Sequence, residues 1–129
     1  MLEGAAMTSD IEPKPEICNC SALRQAARHV TRFYDALLFP AGLRATQFSI
    51  LAKLRRRGPL TITALAAEMV MDRTTLGRNI RPLQRKGLVA VASGRRDPRS
   101  KELHLTETGL ERLRAAVRLA PPAQRMFPG

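Results

Sequence analysis

The sequence predicts a mostly α-helical chain with a small β-hairpin wing, the plan of a winged helix-turn-helix. Three observations predict it. A short helical pattern, TITALAAEMVM (61–71), leads through a turn into a second, basic helix, DRTTLGRNIRPLQRKG (72–87). Two strand-like stretches, LVAVA (88–92) and ELHLT (102–106), flank a charged tip, SGRRDPRSK (93–101). Between Lys53 and Lys101, thirteen Lys and Arg stand against Glu68, Asp72 and Asp97, so this stretch holds nearly all of the formal net charge of +11. Charge focused on a helix and a hairpin favours a polyanionic partner, whereas charge kept only for solubility would be spread.

The elements follow in order. Residues 1–17 carry Glu3, Asp10, Glu12 and Glu16 with Pro13 and Pro15, and read as a flexible N-terminal tail. A basic segment followed by an apolar one is missing there, so it is not a signal peptide. Residues 18–129 read as a single domain with room for a hydrophobic core. No apolar run is long enough to span a bilayer, and the chain reads as cytoplasmic.

The first helix is expected from about Asn19 or Ser21 to Phe39. Leu23, Ala27, Val30, Tyr34 and Leu37 make an apolar stripe at spacings of four and three, and Arg24, Arg28 and Arg32 form a separate row. Pro40 and Gly42 end it. Thr46 is the expected cap of the second helix, with Phe48, Leu51 and Leu54 facing a core and Gly58 closing it. Arg55, Arg56 and Arg57 in its last turn suit either dipole compensation or phosphate contact.

Leu60 to Ile62 suits a short strand joining the hairpin. Thr63 is the expected cap of the third helix and Asp72 of the fourth, where Leu76, Ile80 and Leu83 form the buried stripe. Pro82 inside that helix removes the bond to the Arg78 carbonyl, and Gly87 closes it. Thr106 or Thr108 opens the fifth, Thr108 and Glu111 having capping-box spacing. Leu110, Leu113 and Val117 continue it to Pro121 and Pro122.

With the buried stripe of the fourth helix at zero and about 100° per residue, Thr74, Arg78, Arg81 and Arg85 fall within about 40° of the opposite face. Thr74, Thr75 and Arg78 lie in the half of such a helix that reaches base edges, where Arg pairs with guanine and Thr donates, accepts or touches a thymine methyl. Arg73, Arg81 and Arg85 suit phosphates. The plain alternative is a solvated helix face.

In the wing, Arg95, Arg96, Asp97, Arg99 and Lys101 surround Pro98. Charged hairpin tips also serve merely to protect a sheet edge. Asp97 argues for more: an acid among bases weakens phosphate binding unless it has a task, such as orienting Arg99 toward a narrow minor groove.

These strings resemble the MarR family of bacterial transcription regulators: 20–54 (CSALRQAARHVTRFYDALLFPAGLRATQFSILAKL), 63–89 (TALAAEMVMDRTTLGRNIRPLQRKGLV) and the wing 94–109 (GRRDPRSKELHLTETG). The similarity runs from roughly Cys20 to Leu119, and the Asp-x-Arg wing motif falls on Asp97 and Arg99. The resemblance implies a homodimer on a pseudo-palindromic duplex, about 46–106 being the DNA-binding lobe, with residues 19–39 and 107–120 as dimerisation helices. It implies a regulator, commonly a repressor, released by a phenolic or other aromatic effector or by cysteine oxidation. Such proteins usually extend the fifth helix and add a sixth. Pro121 and Pro122 interrupt that plan here, so the dimer is expected to rest more on the first helix.

Cys18 and Cys20, the only cysteines, are too close for an unstrained mutual bridge and have no His nearby for a zinc site. They read either as inert thiols or as a redox switch near a helix start. His29 and His104 read as ordinary half-buried residues. No phosphate loop, nucleophile elbow or metal-spaced cluster is present, so neither an enzyme nor a cofactor is expected. Two rivals remain to duplex DNA. A winged-helix protein-interaction module leaves the focused charge without a role. RNA offers a deep, narrow groove that excludes the fourth helix, and the chain is only 4% aromatic.

Overall fold

A computed structural model describes residues 15–120, which form five α-helices and three strands: α1 (Pro15–Leu38), α2 (Ala45–Arg57), β1 (Leu60–Thr61), α3 (Ile62–Met69), α4 (Arg73–Arg85), β2 (Val89–Ser93), β3 (Lys101–Leu105) and α5 (Glu107–Leu119). No helix among these residues is long and apolar enough to cross a membrane. The chain divides into two compact units whose boundary falls inside α1, between Phe33 and Tyr34.

In the first unit, α1 starts at Pro15, earlier than the expected Asn19 or Ser21. Proline is well suited to a first helical turn, where its missing N–H is not needed. The helix thus takes in the last residues assigned to the tail; residues 1–14 lie outside the described residues. Side chains 19–33 are all exposed, including Leu23 at 70%, Val30 at 53% and Phe33 at 57%. His29 is exposed rather than half-buried.

The second unit begins with the end of α1. Leu38 is fully buried, and a 3-10 turn (Phe39–Ala41) ends at Gly42 in the left-handed region. α2 buries Phe48, Ile50, Leu51 and Leu54. Its start differs from expectation. The helix begins at Ala45, so Thr46 already lies inside its first turn. Asp35 reaches across instead, its Oδ1 accepting from the Ala45 N–H at 2.7 Å, while Gln47 Oε1 accepts from the Arg44 N–H at 3.0 Å. These bonds satisfy donors that every helix leaves open at its first turn.

At α3 the cap is Thr61, not Thr63. β1 delivers Thr61 in an extended conformation, and its Oγ1 accepts from the Ala64 N–H at 3.0 Å. Asp72 caps α4 as expected, accepting from the Thr75 N–H at 2.7 Å. Gly58 and Gly87 take positive φ where the sequence placed the ends of α2 and α4.

The strands form one antiparallel sheet in the order β1-β3-β2. Leu103 in the central strand faces Leu60 on one side and Val91 on the other, and is fully buried. Thr106, rather than Thr108, opens α5: its hydroxyl accepts from the Gly109 N–H at 3.0 Å and donates to the Gly87 carbonyl at 2.6 Å. Thr108 and Glu111 are exposed on the helix. Leu113 and Ala116 are buried in this unit's core, with Leu110 and Val117 half-buried. Thus part of the stripe expected to serve dimerisation is already covered. α5 ends at Leu119; Pro121 and Pro122 lie outside the described residues.

Candidate nucleic-acid interface

The α4 helix separates two faces. Leu76, Ile80 and Leu83 are buried, and Arg73, Thr74, Thr75, Arg78, Arg81 and Arg85 are all exposed. The burial of three residues at spacings of four and three leaves the opposite side to solvent by helix geometry alone. Asp72 fixes the helix start. The backbone N–H of Thr75 holds its carboxyl below the ordinary value, helped by the Thr75 hydroxyl, with Arg78 a smaller influence.

Asn79, which the sequence reading passed over, donates through Nδ2 to the Thr75 carbonyl at 3.0 Å. At the far end the Leu88 N–H bonds to the Leu83 carbonyl at 2.9 Å. Beyond it, Lys86 Nζ donates to the Gly42 carbonyl at 2.9 Å, and Arg112 Nη1 from α5 donates to the neighbouring Ala41 carbonyl at 3.2 Å. Two cations, one just past α4 and one on α5, thereby hold the carbonyls at the 3-10 turn.

The wing is exposed at Arg95, Arg96, Asp97, Arg99 and Lys101. Asp97 Oδ1 accepts from the Arg99 backbone N–H at 3.0 Å and lies 3.5 Å from Arg99 Nε. The tip closes through the Gly94 N–H on the Ser100 carbonyl, 2.9 Å, and the Ser100 N–H and hydroxyl on the Asp97 carbonyl, 3.0 and 2.9 Å. Gly94 has to lack a side chain: a Cβ would stand 2.6 Å from Ser100 Oγ and 2.9 Å from the Asp97 carbonyl oxygen.

Of the arginines that end α2, Arg57 is engaged in a third way. Its Nη1 lies 3.3 Å from Glu68 on α3, and Lys53 Nζ lies 3.6 Å from the other oxygen of the same carboxylate. This acid ties α2 to the first helix of the helix-turn-helix; a partner so distant in sequence leaves no local spacing signal.

A hollow of about 600 Å³ opens between the start of α2 and α4, with Phe39, Leu43 and Pro82 as apolar walls and Arg44, Arg78 and Lys86 on its rim. Cys20 is exposed and free; the Cys18 side chain lies outside the described residues. His104 is half-buried as expected, with Nε2 covered and unpartnered among the described residues. Those residues contain no cluster of three or more His, Cys, Asp or Glu fit for a metal ion.

Comparison with known proteins gives a consistent picture. A model of the MarR family matches residues 43–101. The HTH-type transcriptional regulator PetP of Rhodobacter capsulatus is 40% identical over 80 residues, covering 54% of this chain and 48% of PetP, so the match spans about half of that protein's length. The transcriptional regulator MosR of M. tuberculosis, solved in complex with DNA, superposes with a TM-score of 0.72 at 41% identity, covering 83% of this chain and 77% of MosR. BpsR of Bordetella bronchiseptica, whose DNA binding is regulated by 6-hydroxynicotinic acid, shares the fold at 23% identity and TM-score 0.69, covering 82% of this chain and 84% of BpsR.

Proposed function

Because the chain belongs to the MarR family of DNA-binding transcription regulators, we propose that it is a repressor acting on a pseudo-palindromic operator as a homodimer in the cytoplasm. The observation that carries this reading is the division of α4: seven polar or basic residues exposed, three aliphatic residues buried. Thr74, Thr75 and Arg78 read base edges, Arg73, Arg81 and Arg85 hold phosphates, and the wing residues Arg95, Arg96, Arg99 and Lys101 engage the adjoining backbone and minor groove, with Asp97 orienting Arg99.

Two copies place two such helices on one DNA face when the half-sites lie about 10 base pairs apart. The exposed Leu23, Val30 and Phe33 of α1 supply the apolar surface for pairing. Residues 46–106 form the DNA-binding lobe, and 19–39 with 107–120 the dimerisation helices. A small aromatic effector fits the hollow beside α4, where Arg78 and Lys86 meet apolar walls. Occupancy there draws on the same Arg78 that reads a base. For Cys18 and Cys20 the plainer assignment, inert thiols, is preferred.

The deciding experiment is affinity for duplex DNA as a function of salt. If each subunit neutralises about four phosphates, the log-log slope for a dimer is roughly −7. A flat response, or equal affinity for duplex RNA, removes the reading. Sedimentation equilibrium over micromolar concentrations tests the dimer separately.

A further inference from the structure

Val70 sits in the turn between α3 and α4 with φ 53° and ψ 52°, and it is the only non-glycine residue with positive φ among the described residues. The turn requires that conformation. The Met71 N–H bonds back to the Ala66 carbonyl at 3.0 Å and the Val70 N–H to the Ala67 carbonyl at 3.2 Å, the closing pattern of a helix that ends in a left-handed residue. Glycine or asparagine meets this demand at little strain; a β-branched side chain does not, because its Cβ crowds the neighbouring carbonyl.

Among the described residues, no packing contact repays the strain. Val70 is 90% exposed, more than any other large exposed hydrophobic described, whereas the apolar contact that usually accompanies such a turn comes from Met71, which is half-buried against the core. A valine at this site lowers stability and covers none of the described core. Backbone strain that persists without a packing reward points to function.

Its position indicates the occupant. Val70 lies two residues before Asp72, which caps α4, and runs directly into the exposed Arg73, Thr74 and Thr75. It is therefore continuous with the surface assigned to DNA, at the end of α4 that reaches furthest into a major groove. A duplex presents apolar features at this rim: the faces of deoxyribose and the 5-methyl groups of thymine. The geometry points to Val70 as a DNA-contacting residue that places an apolar side chain against the groove rim, retained at the expense of fold stability. This inference rests on the DNA-binding reading above.

The test uses the full chain and the tightest duplex of about 30 base pairs recovered from a randomised pool. Val70→Asn relieves the left-handed strain and removes the apolar contact; Val70→Ile keeps both. The Asn variant is expected to melt at a higher temperature than wild type and to bind roughly five- to tenfold more weakly. The Ile variant is expected to retain wild-type affinity. Replacing single thymines by uracil then separates the two sources. A loss at one step per half-site that is absent in Val70→Asn identifies a thymine methyl, and no loss at any step identifies deoxyribose. Wild-type affinity in Val70→Asn overturns the contact and leaves the valine to a protein partner, and a lower melting temperature in that variant overturns the strain. Failure of the wild type to bind any duplex overturns the parent reading instead.

Discussion

Lys86 Nζ lies 2.9 Å from the carbonyl oxygen of Gly42, joining the residue just past α4 to the residue that ends the turn after α1. The two positions are 44 residues apart in sequence. A charged donor on a carbonyl at a helix terminus is favourable in both hydrogen-bonding and dipole terms. It also fixes where the C-terminal end of α4 points. Lys86→Ala is expected to lower stability by about 0.5–1.5 kcal/mol, measured by urea unfolding. Arg114→Ala on the exposed side of α5 serves as the control and is expected to change little.

The Asp72 cap makes the start of α4 sensitive to acid. Its carboxyl titrates below the ordinary value of 3.8 because the Thr75 N–H bonds to the charged form. A carboxylate whose folded value is depressed contributes stability fully above its unfolded value and loses that contribution as pH falls through the folded one. The wild type is therefore expected to lose stability relative to Asp72→Asn as pH drops below about 4, and the two curves should run parallel at neutral pH. Parallel curves throughout the acid range would remove the cap from the account.

Two glycines are expected to respond to alanine with opposite signs. At Gly109 a Cβ would run into the Leu88 carbonyl oxygen and stand 2.8 Å from Leu105 Cδ1. Gly109→Ala should destabilise by about 1–3 kcal/mol, as overpacking does. Gly77 lies within α4 and a Cβ there meets nothing within 4 Å, so Gly77→Ala should stabilise by about 0.5–1 kcal/mol. Thermal or urea unfolding of both variants checks the pair.

Within α4 the expected division is between reading and holding. Arg78→Ala should cost roughly 1–3 kcal/mol on the preferred site and relax sequence preference there. Arg85→Ala should weaken preferred and random duplexes alike and reduce the salt slope by about 1. Equal loss of preference in both variants would erase the distinction.

Asp97→Ala should weaken binding roughly fivefold, about 1 kcal/mol, although it removes a negative charge from a surface proposed to meet phosphates. Its carboxylate lies 3.5 Å from Arg99 Nε and accepts from the Arg99 backbone. Tighter binding by the variant, as simple charge counting predicts, would end the orienting role.

What the sequence showed clearly was whatever depends on neighbours. The stripe Leu76, Ile80 and Leu83 and the cap at Asp72 rest on spacings of three and four, whereas spacing left Thr106 and Thr108 both open as the start of α5. The strand at Leu60 was legible because Gly58 and Pro59 isolate it. Misplaced were the caps supplied from elsewhere. Thr46 looked right locally, but Asp35, on the preceding helix, reaches Ala45 first. Thr63 looked right until β1 delivered Thr61 as the cap, two residues earlier. Contacts such as Glu68 with Arg57, or Arg112 with Ala41, join residues whose proximity exists only after folding. Val70 was passed over because its oddity lies in a backbone angle, not in its residue type.

Thr61 belongs to two structures at once. It is the last residue of β1, paired with Glu102 in the central strand, and its side chain caps α3. β1 and α3 therefore have no linker between them that could absorb a displacement. A displacement of the central strand is handed through a single peptide to the first turn of α3. The tip, residues 94–100, lies beyond Glu102 and Leu103, the two residues that β1 pairs with.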